Sequence, residues 1–139
     1  MIRKVLFFGV IALAVACGKY EEGPKFSLES KKSRLVGEWK VTSITKNGVD
    51  QSLPGTTVEY SIKDDGTYVQ NVIFSVFGQN FTDSKAGTWK FSPDKNFLLT
   101  KEIVSGNEAN WRIVKLMKEE LKFRNINNSD TLIQVLQPK

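Results

Sequence analysis

Leu35-Val36-Gly37-Glu38-Trp39-Lys40-Val41 is the stretch whose reading decides the fold. Leu35, Gly37, Trp39 and Val41 alternate with Val36, Glu38, Lys40 and Thr42, which is the period-two pattern of a strand with one buried face. Working outward, the pattern recurs. Val58, Tyr60 and Ile62 alternate with Thr57, Glu59, Ser61 and Lys63, and Asp64-Asp65-Gly66 then supplies a tight turn. Tyr68, Val72, Phe74 and Val76 continue one face of the next strand, with Asn71 and Ser75 on the other. Gly87, Trp89 and Phe91 alternate with Thr88, Lys90 and Ser92, and Pro93-Asp94-Lys95-Asn96 turns the chain into Phe97-Leu98-Leu99. Trp111 to Leu116, a turn at Lys118-Glu119, Leu121 to Arg124 and Thr131 to Gln137 complete the series. About eight strands with short links, and a single helical turn around Ser27 to Arg34, imply a small all-β domain. Its expected form is an antiparallel eight-stranded meander barrel, closed so that no edge is left open.

The 139 residues are 40% hydrophobic and 25% charged, which suits one folded domain preceded by a segment outside the fold. Met1 to Lys4 is short and basic, and Val5 to Ala16 is an apolar run of twelve residues ending at Cys17, the only cysteine. Twelve residues are too few to span a bilayer, which takes about 20, so the run reads as a secretory signal. Ala14-Val15-Ala16-Cys17 resembles a bacterial lipobox, with Ala14 where Leu is more usual. That resemblance implies an acylated Cys17 as the first mature residue, and acylation removes a lone thiol from an oxidising compartment. The expected organisation is therefore a signal peptide over 1–16, a lipidated cysteine and polar tether over 17–33, and the barrel over 34–139. The expected location is the bacterial cell envelope, lipid-anchored and on the outer membrane, with the periplasmic and surface faces both open. Lys19, Glu21 and Glu22 loosely resemble a surface-export signal and read equally well as a solvated linker.

Composition also excludes function classes. The formal charge of +5 falls to 5 − 2 = +3 once Arg3 and Lys4 are removed, and the remaining cations are scattered among acids, so no nucleic-acid partner is expected. With no histidine and one cysteine, disulfides within the chain, most zinc sites and histidine-based triads are ruled out. Asp64-Asp65 and Glu119-Glu120 fall where turns are expected. No phosphate loop, nucleophile elbow or calcium loop is present. The expectation is a protein that is not an enzyme, with no catalytic residue, metal or cofactor.

Three motifs in order carry a family resemblance: Gly37-Glu38-Trp39, then Asp64-Asp65-Gly66-Thr67-Tyr68, then Gly87-Thr88-Trp89. Spread over roughly Arg34 to Gln137, they resemble lipocalin-like domains, especially the short lipocalin-like lipoproteins common in Bacteroidetes. With one cysteine, the disulfide of longer lipocalins is not expected, and neither is their helix after the last strand. The resemblance implies a barrel that holds a small hydrophobic ligand, with Gly37, Trp39, Gly87 and Trp89 as family-motif residues and Arg124 placed over Trp39.

The candidate ligand lining is Tyr60, Tyr68, Val72, Phe74, Phe91, Leu99, Trp111 and Phe123, which is equally the expected core. Trp39 and Trp89 read either as pocket walls or as core plugs, and Gly37 and Gly87 let a neighbouring ring pack close to the strand. Val72 to Phe81 is the most apolar stretch, either a hairpin flap at the barrel mouth, a patch for a partner or membrane, or a doubly buried strand. Two functions follow: a membrane-anchored module that binds a small hydrophobic molecule, or a filled barrel acting as a structural or protein-interaction module of the envelope.

Overall fold

The computed structural model describes residues 20–22 and 30–139. Segment 1–16, Cys17 and Lys19 lie outside the described residues. Helix α1 (Lys31–Leu35) is a short cap, started by Ser30, whose side chain accepts a hydrogen bond from the Ser33 amide at 3.1 Å. Nine strands follow: β1 (Gly37–Lys46), β2 (Val49–Asp50), β3 (Thr56–Ile62), β4 (Thr67–Val76), β5 (Gln79–Phe91), β6 (Phe97–Glu102), β7 (Glu108–Met117), β8 (Glu120–Asn127) and β9 (Asp130–Pro138). β2 is a two-residue spur on the end of β1. The other eight pair antiparallel in chain order, and β1 pairs with β9 from Trp39↔Pro138 to Lys46↔Leu132, so the sheet closes into the expected barrel.

A closed meander sends alternate connections to opposite ends. The β3–β4, β5–β6 and β7–β8 turns and α1 share one end, which is packed shut. Leu35, Leu116 and Leu121 there are fully buried, and Trp39, Ile62, Ile113 and Leu136 join them. Burying a Leu of this kind stabilises by about 1.5–3 kcal/mol, so these side chains supply much of the drive to close the floor. Trp39 Nε1 donates to the Leu35 carbonyl at 2.8 Å, and Arg34 Nη1 donates to the Leu116 carbonyl at 2.8 Å, which ties α1 to the barrel. Arg34 is the arginine drawn into the floor. Arg124, expected over Trp39, instead faces outward, because the alternation that buries Leu121 and Phe123 puts residue 124 on the other face.

The motif glycines have different reasons. Gly37 has φ +153°, which side-chain-bearing residues rarely adopt. A Cβ on Gly87 would lie 2.4 Å from Tyr68 Cε1 and 2.5 Å from the Lys101 carbonyl oxygen, so this glycine makes room for a tyrosine on the neighbouring strand.

Tyr20 to Glu22, read as part of a polar tether, lie against the barrel. Tyr20 donates its hydroxyl to the Lys95 carbonyl at 2.9 Å, and the Glu22 amide donates to the Val114 carbonyl at 2.7 Å. Glu21 meets Arg112 Nε at 3.1 Å and Arg124 Nη2 at 3.0 Å, and Glu22 meets Lys122 Nζ at 2.6 Å. The cations that β7 and β8 turn outward give these two acids their partners. The Arg124 hydrogen bond, more than the neighbouring charges, holds the Glu21 carboxyl below its usual value.

Candidate functional site: the barrel cavity

Above the floor, the inward residues of seven strands, β3 to β9, leave a cavity of about 160 Å³. Its apolar wall comes from Ile62, Trp89, Leu98, Trp111, Phe123 and Leu136. Its polar wall comes from Tyr60, Tyr68, Gln70, Thr100 and Gln134. Period-two alternation and cross-strand register explain the grouping: Tyr60 pairs with Gln70, Trp89 with Thr100, Leu98 with Trp111 and Phe123 with Gln134.

The polar wall is organised. Gln70 Nε2 donates to the Tyr60 hydroxyl at 2.8 Å, and Gln134 lines the same wall. Burial pushes Tyr60 up to about 12, only partly offset by the Gln70 bond, so its phenol stays protonated across the physiological range. Tyr68 is also raised, by burial first and then by the negative charge of Glu102. Trp89 Nε1 donates to the carbonyls of Lys63 at 3.0 Å and Thr67 at 3.1 Å, which fastens the β3–β4 turn and leaves the ring itself as wall.

Of the expected lining, Tyr60, Tyr68, Trp111 and Phe123 do line the cavity, and four residues do not. Leu99 lies on the outer wall, in an open groove of about 410 Å³ with Lys90, Lys101 and Glu108. The pairing of Trp89 with Thr100 and of Phe91 with Leu98 turns Leu98 inward instead. Phe91 shares the inward face of β5 with Trp89 but sits below the cavity toward the floor, packed edge-on against Trp89 (centroids 5.7 Å apart, 83° between planes) and against the core. Val72 and Phe74 share the inward face of β4 but lie past the cavity toward the mouth, where Phe74 stacks on Phe81 at 5.7 Å. Trp39 is floor, and Trp89 is both core and cavity wall.

Sequence reasoning missed Ile62, Gln70, Leu98, Thr100, Gln134 and Leu136 as lining. Gln70 and Gln134 had a legible signal, because each is a polar residue at an inward position of a period-two strand.

The mouth is formed by the β1–β3 connection and the β4–β5, β6–β7 and β8–β9 turns. Val49, Leu53, Val76, Phe77, Ile103, Val104 and Ile126 are exposed there, Phe77 completely. The Val72 to Phe81 stretch is thus a hairpin rising at the mouth, turning at Phe77-Gly78. Phe77 has φ +50°, a conformation costly for a bulky side chain. Among the described residues no group of three His, Cys, Asp or Glu could hold a metal ion, and no helix is long and apolar enough to cross a membrane.

A family model described as a lipocalin-like domain matches residues 35–123. No curated protein matches the sequence significantly. Among solved structures, Japanin from Rhipicephalus appendiculatus bound to cholesterol is similar with a TM-score of 0.61, 12% identity and 79% of each chain covered. The odorant-binding protein from bovine nasal mucosa gives 0.46 at 16% identity, covering 82% of this chain and 77% of that one. At these identities the likeness concerns the fold alone.

Proposed function

The chain belongs to the family of lipocalin-like domains, and from that premise we propose that it is a lipid-anchored carrier whose barrel holds one small hydrophobic molecule. The observation that carries this reading is the cavity itself. Three tryptophan- or phenylalanine-bearing strands form an apolar wall, yet their rings stop short of filling the barrel. The packed floor makes the mouth the way in, and the exposed apolar residues there suit the passage of a poorly soluble ligand. The lipocalin fold of the structure with bound cholesterol supports the carrier role by analogy.

The anchor is part of the same proposal. Cys17 after an apolar run of twelve residues supports acylation and an envelope location, with the outer membrane as the destination. A Cys17→Ser variant would leave the membrane fraction and lose its lipid label. Retention of that variant with the membrane would overturn the anchor.

The carrier reading is tested by native mass spectrometry of the Cys17→Ser chain after incubation with a solvent extract of the producing cells. The expected result is a discrete one-to-one adduct that a Trp111→Lys substitution abolishes while the fold persists. A folded protein that stays bare in every extract would overturn it. The exposed β4–β5 hairpin supports a second reading, in which the mouth docks an envelope protein.

A further inference from the structure

Among the described residues, five polar side chains and no charged one line the cavity: Tyr60, Tyr68, Gln70, Thr100 and Gln134 face it, and no described Lys, Arg, Asp or Glu does. A carboxylate placed there would find no cation among the described lining residues, since Lys85, opposite Gln70 across β4 and β5, is exposed to solvent; burying an unpaired charge costs far more than burying a hydrogen-bonded neutral group. Glu102 presents negative charge to Tyr68, which disfavours an anion beside that side of the wall.

Neutral polar groups fare differently. Gln70 bonds the Tyr60 hydroxyl and keeps its amide oxygen, and Gln134 offers a second amide on the same wall. Amides and hydroxyls offer donors and acceptors together, so a ligand hydroxyl, carbonyl or amide is satisfied without a proton changing hands.

Size narrows the class. A cavity of about 160 Å³ compares with the ~150 Å³ apolar cavity that accommodates benzene, and it is below the ~300–1,000 Å³ of most ligand pockets. A sterol is too large for it.

We propose that the barrel selects an uncharged, single-ring-sized molecule with one hydrogen-bonding group seated against Tyr60, Gln70 and Gln134, and that it rejects the matching carboxylate. This rests on the carrier reading and names its ligand class. Apolar surface supplies the affinity, and the glutamine-held tyrosine supplies the choice.

The test uses three probes with one ring in common, toluene, benzyl alcohol and benzoate, titrated at pH 7 into the purified Cys17→Ser chain, with the fluorescence of Trp89 and Trp111 as readout. Benzyl alcohol should bind at least about tenfold more tightly than benzoate, which is ionised at this pH. Gln70→Leu and Tyr60→Phe, each checked for cooperative unfolding, should bring the alcohol to within about threefold of toluene, the scale of one lost neutral hydrogen bond. Benzoate binding as well as the alcohol would overturn the proposal, and so would an alcohol preference that survives in both variants. Binding of none of the three, toluene included, would overturn the carrier reading beneath it.

Discussion

At the floor of the barrel Leu35, Leu116 and Leu121 are sealed from solvent, and the turns around them are polar. At the mouth Phe77 is wholly exposed and Val104 nearly so, on turns that bury almost nothing. The same residue types therefore serve two purposes. Floor side chains recover the free energy of leaving water, whereas those at the mouth forgo it, and Phe77 adds a left-handed backbone to the cost. Fold stability accounts for the floor and does not account for the mouth. Between the two lies the cavity, where packing stops while alternation continues.

The comparison breaks first at the floor. Leu121→Ala should destabilise the barrel by about 2–5 kcal/mol in urea unfolding, because it opens a void where neighbours cannot collapse. A cost near that of a surface change would mean that the floor is not packed as described. Next comes Gly87→Ala, expected to cost roughly 1–3 kcal/mol, since the added methyl meets both the Tyr68 ring and a backbone carbonyl. Gly48→Ala provides the control, being strained at φ +81° but with nothing within 4 Å of its Cβ.

High pH probes the layer between floor and mouth. Tyr60 has a folded value raised from 10.0 to about 12, so its contribution to stability is complete below pH 10 and is lost as pH rises toward 12. Thermal midpoints followed across that window should fall more steeply for the parent than for Tyr60→Phe. Equal slopes would place the alkaline loss in other groups.

The mouth should respond in the opposite sense. Phe77→Asn should stabilise by about 1 kcal/mol, since Asn tolerates the left-handed conformation that Phe must be forced into. The same substitution should weaken whatever binding uses the mouth, which would show stability traded for function there. Smallest of all is Glu21→Gln, expected to leave the unfolding midpoint almost unchanged because these ion pairs are exposed. Its effect should appear as faster amide exchange at Glu22. In the parent that protection should be full above pH 4.5, the ordinary glutamate value, and fade as pH falls through the lower folded value.

Much of this was legible in the chain because it depends on local periodicity. Trp39, Tyr60, Tyr68, Trp89, Trp111 and Phe123 occupy inward positions that alternation identified. Leu98 and Leu99 show the limit. Two adjacent leucines give no period, and the choice between them came from the pairing of β6 with β5 and β7. Val72 and Phe74 show another, because alternation names a face but says nothing of height along the barrel. The docking of Glu21 on Arg112 and Arg124 joins residues about ninety and a hundred positions apart, which no local pattern encodes.

The sequence by itself determined an all-β meander, its turns, the inward face of most strands and the absence of histidine or thiol chemistry within the barrel. These follow from side-chain period and composition, which act over a few residues. Only the tertiary structure decided where the core ends and the cavity begins, which glutamine holds Tyr60, and which apolar residues stay in water. Those depend on the closure of β1 onto β9, which fixes register and height for every strand at once.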